Sequence, residues 1–265
     1  MIATPDKTLD VPVAIIDIGN TTVSLASWYD GNVAAAVSAS ASSATEFDKA
    51  FSALLTTFPN ESPSAVVVSS VNPGVLDKVR DRVESKLDRQ ALVIGEQIPL
   101  PMDVGVRDAR AIGVDRVCAA AAAFDRLHSD CIVIDFGSAV TIDLVDEEGT
   151  LIGGAILPGL RMQFAALHEH SALLPEVSPA MTELAYGRDT TEAIQSGVCR
   201  GLAGAVRALV EAYAASLNKW PQVIATGGDL DFMAPNCDFL DSLVADLTLR
   251  GIGLAHTKYL ASKGA

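Results

Sequence analysis

Basic residues are scarce in this chain: 19 Lys and Arg stand against 33 Asp and Glu, a formal net charge of −14. An anion of that size is a poor binder of nucleic acid or of an anionic membrane. Backbone N–H groups and a few Arg side chains can still hold a small phosphate. No run approaches the roughly 18–20 apolar residues of a membrane-spanning helix. The four cysteines, Cys118, Cys131, Cys199 and Cys237, form no CxxC pair and no cluster with histidine. That spacing supplies no zinc site and leaves buried free thiols, as expected in the reducing cytoplasm. The opening MIATPDKTLD has neither a basic end nor an apolar stretch, so it reads as a short disordered leader and not a signal peptide. Neither GxxxxGK[ST] nor GxSxG is present. The letters Asp-Phe-Gly at 135–137 come without the Gly-rich loop, strand Lys and H-R-D loop that a protein kinase needs.

What the chain has is apolar substance and a repeat. It is 49% hydrophobic over 265 residues, enough for one large domain or two ordinary ones, and global disorder is excluded. Strands are expected at 13–17, 22–28, 33–37, 65–70 and 91–94, with helices at 45–57, 73–87 and 111–127. The second half has strands at 131–136, 140–145 and 151–157, a helix from 160 and a long one over 190–217. A strand at 222–225 and a helix over 246–260 close the chain. This alternation argues an α/β fold. The segments IIDIGNTTVSLASWYDGNVAAAV and VIDFGSAVTIDLVDEEGTLIGGAI also match one another. Each has an apolar strand ending in Asp (Asp17, Asp135), one apolar residue, a Gly, an alternating strand, then a turn Gly at the same offset (Gly31, Gly149). Two domains grown from one β-meander unit follow, 11–128 and 129–262, with a ligand expected between their Asp-x-Gly turns.

Four segments carry chemistry. At Asp17-Ile-Gly-Asn-Thr21, Gly19 permits close backbone approach, and Asn20, Thr21 and Thr22 can cradle phosphate oxygens. Asp17 would then face a polyphosphate, which implies Mg2+ between them; the alternative is a polar hairpin turn. Asp135-Phe-Gly-Ser138 is the second copy, or an ordinary tight turn. Gly113-Val114-Asp115-Arg116 opens an Ala-rich helix. Its Arg can take a carboxylate and its Asp can accept a proton, unless Asp115 merely caps the helix. Thr226-Gly-Gly228 after a strand permits a flat ring or ribose to lie on the backbone, or simply meets the need of a strand–turn–helix junction for Gly-Gly. His168 and His170 point apart on a helix and cannot chelate one ion, so they read as a solvated helix end. Asp189 or Thr190 reads as the N-cap of the long helix.

In order along the chain, DIGNT, SSVNP (69–73), GVDR, DFGSAVTID, GGAILPG (153–159), GRDTTEAIQSG (187–197), TGG and DLTLRGI (246–252) resemble the type III pantothenate kinases, over about residues 13–260. The resemblance implies two ribonuclease-H-like domains of the actin-like ATPase superfamily with a central nucleotide cleft. It implies ATP-dependent phosphorylation of pantothenate to 4'-phosphopantothenate by a cytoplasmic homodimer, the first step of coenzyme A synthesis. By the same resemblance Asp17, Ile18, Gly19, Asn20, Thr21, Thr22, Val23 and Ser24 form the first phosphate loop, with Ser138 a nucleotide contact of the second. Asp135 would bind K+ or NH4+. Gly113, Val114, Asp115 and Arg116 would hold pantothenate, Asp115 would be the general base, and Thr190 would reach the substrate across the dimer.

Three positions depart from the family pattern. Val140 stands where DFGTAT has its second Thr, Val106 where a Tyr is usual, and Arg250 where a Glu is usual. Rival readings are a kinase of another small alcohol on the same fold, or a nucleotide-binding regulator without catalysis.

Overall fold

The computed structural model describes residues 12–264; the opening leader lies outside the described residues. In chain order the elements begin β1 (Val13–Ile18), β2 (Thr22–Tyr29), β3 (Asn32–Ser40), α1 (Ala44–Leu55), β4 (Val66–Ser70) and α2 (Pro73–Leu87). The short strands β5 (Leu92–Val93) and β6 (Asp103–Val104) lead to α3 (Val114–Leu127). There follow β7 (Cys131–Phe136), β8 (Ala139–Val145), β9 (Thr150–Pro158), α4 (Leu160–Glu169) and α5 (Thr190–Leu217). Last come β10 (Gln222–Thr226), α6 (Leu230–Met233), β11 (Ser242–Leu243) and α7 (Leu247–Lys263). The fold is α/β, and its two compact units are residues up to Ala122 together with those from Asp246, and Ala123–Ala245.

In the first unit the strand order is β3-β2-β1-β4-β5, with β1 antiparallel to β2 and parallel to β4. β1 is apolar on both faces because it is central and covered on both. Ala14, Ile16 and Ile18 join Phe47, Phe51 and Leu54 of α1 and Val79 and Val83 of α2. Val13 and Ile15 face the other way, with Val67, Cys118 of α3, and Leu249, Ile252 and Ala255 of α7. This second cluster explains why α7 groups with the first unit although 246–262 was expected in the C-terminal domain. Sequence order pointed one way and the apolar face of β1 the other. A Cβ at Gly251 would strike the Cys118 backbone, so glycine is what allows α7 to lie this close to α3.

The second unit repeats the plan. β7 pairs antiparallel with β8 and parallel with β10, giving the order β11-β10-β7-β8-β9. β1 and β7 share one burial pattern, a buried run broken only by the half-buried Asp at the fifth position. Gly31 (φ 74°) and Gly149 (φ 80°) both take the left-handed conformation that closes the second hairpin of each meander. α5 presents Ile194, Val198, Leu202, Val206, Val210 and Ala214 at a spacing of four, an apolar stripe that packs on this sheet.

α3 begins at Val114 and not at 111 as expected from its Ala-rich composition. The N–H of Ala111 closes a turn onto Asp108, and Gly113 is a poor helix former, so the helix starts after both.

Candidate active site

In the first unit, Asp17 lies at the end of β1 opposite Ser24 of β2 and beside Ser69 of β4. The turn that follows is tight: the Gly19 N–H donates to Thr22 O at 3.0 Å, and the Ala41 N–H donates to Thr21 O at 2.9 Å. Asn20, Thr21 and Thr22 are exposed on this turn. Ile18 and Val23 are not; both are buried in the core, so only their backbone can meet a ligand. Ser24 is half-buried, its hydroxyl 3.4 Å from that of Ser38.

Asp115 occupies the first turn of α3, half-buried, where its Oδ1 accepts the Arg116 N–H at 2.8 Å. Gly113 makes this possible, because a Cβ there would collide with that oxygen. Burial pushes the Asp115 carboxyl above its ordinary value, against the opposing pull of the Arg116 N–H and the Arg116 charge. Cys118, wholly buried one turn along α3, is held well above the usual thiol range first by burial, then by the charges of Asp17 and Asp115. Both carboxylates therefore lie close to one thiol, which stays protonated. This brings together the two acids that sequence analysis assigned to separate motifs.

In the second unit, Asp135 lies near the end of β7 and is confined by glycine backbone on two sides. A Cβ on Gly137 would lie 3.1 Å from Asp135 Oδ1, and one on Gly227 (φ 107°) would overlap it. The Asp229 N–H donates to Phe136 O at 2.9 Å, and the Gly159 N–H to Ser138 O at 3.2 Å, so the TGG and LPG turns are tied to the DFGS turn. Ser138 is exposed. Asp229 and Arg161, which stand in none of the motifs, also bring charge here. Burial raises the Asp229 carboxyl and the Arg161 charge opposes this, and the one signal of it in the sequence is the position of Asp229 directly after Gly-Gly. Val140 is 1% exposed and belongs to the apolar core, so valine there takes nothing from the exposed turn. Arg250 pairs with Asp246 at 2.8 Å across the first turn of α7.

Thr190 is exposed at the first turn of α5, which Asp189 caps by accepting the Glu192 N–H at 2.8 Å. A groove of about 690 Å³ opens here between α4 and α5, its walls including Leu167, Leu174, Ile194 and Val198 beside Arg188 and Thr190. His168 bonds Leu174 O through Nδ1 (2.9 Å), and His170 caps the end of α4. All four cysteines are buried free thiols. Among the described residues no three His, Cys, Asp or Glu side chains could jointly hold a metal ion, and no helix is long and apolar enough to cross a membrane.

Two meander units of one strand order, each with an acid at the end of its first strand, define an actin-like fold. Solved structures agree on the fold. A Baf family transcriptional activator from Campylobacter jejuni aligns with a TM-score of 0.59 and 20% identity, covering 95% of this chain and 98% of that one. An archaeal actin homolog aligns with a TM-score of 0.51 and 11% identity, covering 96% and 100%. Residues 14–212 match the sequence profile of the type III pantothenate kinases. A type III pantothenate kinase of Dinoroseobacter shibae is 36% identical over 188 residues, 71% of this chain and 73% of that protein. The chain belongs to the type III pantothenate kinase family, whose members phosphorylate pantothenate in the first step of coenzyme A biosynthesis.

Proposed function

We propose that this chain phosphorylates the primary hydroxyl of pantothenate with ATP, using Asp115 as general base. The observation that carries this reading is the half-buried Asp115, its carboxyl raised by burial, next to Arg116 at the start of α3 and close to the same thiol as Asp17. A carboxylate raised toward the working pH is a better proton acceptor than an ordinary one. Arg116 takes the pantothenate carboxylate in a charge-assisted pair, with Gly113 and Val114 as the adjoining wall. The substrate hydroxyl oxygen attacks the γ-phosphorus and its proton passes to Asp115. The bond from that phosphorus to the bridging oxygen breaks, and ADP leaves.

Asp17 and the turn Gly19–Asn20–Thr21–Thr22, with the backbone of Ile18, Val23 and Ser24, face the phosphates, and Ser138 supplies the corresponding hydroxyl of the second unit. Asp17, near the end of β1 beside the exposed turn, would hold Mg2+, which binds through one or two carboxylates, water and substrate phosphate. Such a cation, when bound, neutralises charge on the phosphates. Asp135 would hold the monovalent cation, K+ or NH4+, and its confinement by Gly137 and Gly227 supports a site built largely from backbone oxygen and one carboxylate. Cytoplasmic location is part of the same reading.

The active form is a homodimer in which Thr190 completes the partner's pantothenate site. Its support is the apolar surface near the start of α5, where Leu173 is 92% and Tyr186 66% exposed alongside the groove. A coupled assay of ATP consumption tests the whole proposal. Turnover should require pantothenate and be faster in K+ than in Na+; pantothenate-independent turnover, or equal rates in the two salts, would count against it.

A further inference from the structure

Val67, Ser69 and Val71 alternate along one face of β4 and the residue beyond it. Val67 belongs to the apolar cluster that α3 and α7 cover. Val71 is the side chain that a Cβ on Gly113 would meet at 3.5 Å. Ser69 therefore lies between the core and the turn that carries Asp115. In parallel register it is the neighbour of Asp17, so both side chains leave the sheet on the face where Cys118 is packed. Ser69 is wholly buried, and its Oγ has no hydrogen-bond partner among the described residues.

The next residue makes the contrast. Ser70 donates to Asn72 O (3.2 Å) and accepts the Asn72 N–H (3.1 Å), a turn-building role that accounts for its hydroxyl. No such account exists for Ser69, where alanine would fit the strand without an unsatisfied oxygen. A buried hydroxyl with nothing to bond lowers stability, and such groups in folded proteins call for a bound water or a functional partner. Asp17, its register neighbour on this face, is a polar group placed to share a water with it.

We propose that Ser69 is a positioning residue: its hydroxyl holds a buried water that bonds the Asp17 carboxylate and fixes its orientation toward the cation-bound phosphates. This rests on the kinase reading above for the identity of the phosphates, but not for the Ser69–Asp17 link. Loss of a partner of this kind typically costs about 10- to 100-fold in metal affinity or activity.

The test is Ser69→Ala, read by thermal denaturation while Mg2+ is titrated at fixed ADP, and separately by kinetics. The variant should melt at or above the wild-type temperature. The Mg2+ concentration at half-maximal ADP stabilisation should rise by about tenfold or more, and kcat should fall with KM for pantothenate unchanged. A higher melting temperature with an unaltered Mg2+ midpoint would overturn the proposal, leaving Ser69 as an ordinary unsatisfied core hydroxyl. If the alanine variant fails to fold, Ser69→Cys keeps the size with a weaker donor; a wild-type Mg2+ midpoint in it overturns the proposal, and a raised one supports it. A wild-type enzyme that ignores pantothenate would sink the kinase reading alone, because the ADP titration involves no turnover.

Discussion

Asp115 meets two opposing demands. Burial disfavours its charge and so destabilises the fold at neutral pH, while the same burial suits it to accept a proton. Its folded pKa is raised, so the stability linked to it is fully present below the unfolded value and is lost as pH rises through the folded value. Asp115→Asn should accordingly melt higher than wild type at neutral pH, with the gap closing on acidification, while kcat falls by about 10²–10⁴. Calorimetry across pH together with initial rates checks both; a variant with full kcat would remove the general-base role. The acid limb of the wild-type rate profile should also lie above the ordinary carboxylate range. Arg116→Ala should chiefly raise KM for pantothenate, since a charge-assisted pair made equally in ground and transition states contributes to binding. A raised KM for ATP with pantothenate unaffected would move Arg116 to the nucleotide.

Turns do the positioning at the level of elements. Gly227 holds a left-handed φ of 107° against Asp135 and the Phe136 backbone, so a methyl group there meets both backbone strain and collision. Gly227→Ala should lower stability by more than about 1 kcal/mol and reduce K+ stimulation, measured by urea unfolding and by activity against K+ concentration. Wild-type behaviour in both would dissociate this turn from Asp135. Such turns also mark the limit of what the sequence discloses. The elements were legible because apolar runs such as 131–136 and the spacing-of-four stripe of α5 leave little alternative. The repeat was legible because Asp17 and Gly31 recur as Asp135 and Gly149. That Ile18 and Val23 point into the core, or that Asp115 and Asp17 share Cys118 as neighbour, depends on which face of a strand packs where, and a motif read as letters does not carry that. The packing of α7 is illegible for the same reason: Ile15 and Val67 share its apolar cluster, and they lie more than 180 residues away in sequence.

On the scale of the whole molecule, the chain couples a duplicated fold to unequal halves. The first copy gathers Asp17, Ser69 and Asp115, and the second confines Asp135 and exposes Thr190 beside an apolar groove. If that groove is the two-fold contact, activity per chain should fall on dilution in step with the dimer fraction seen by sedimentation, whereas a fully active monomer would refute the shared site. The central claim is that this chain transfers the γ-phosphoryl group of ATP to the primary hydroxyl of pantothenate. Mass spectrometry and phosphorus NMR of a reaction holding ATP, Mg2+, K+ and pantothenate test it most directly. The expected result is one phosphomonoester on the primary alcohol, formed in equal amount with ADP. ADP accumulating with inorganic phosphate while pantothenate stays unmodified would contradict it.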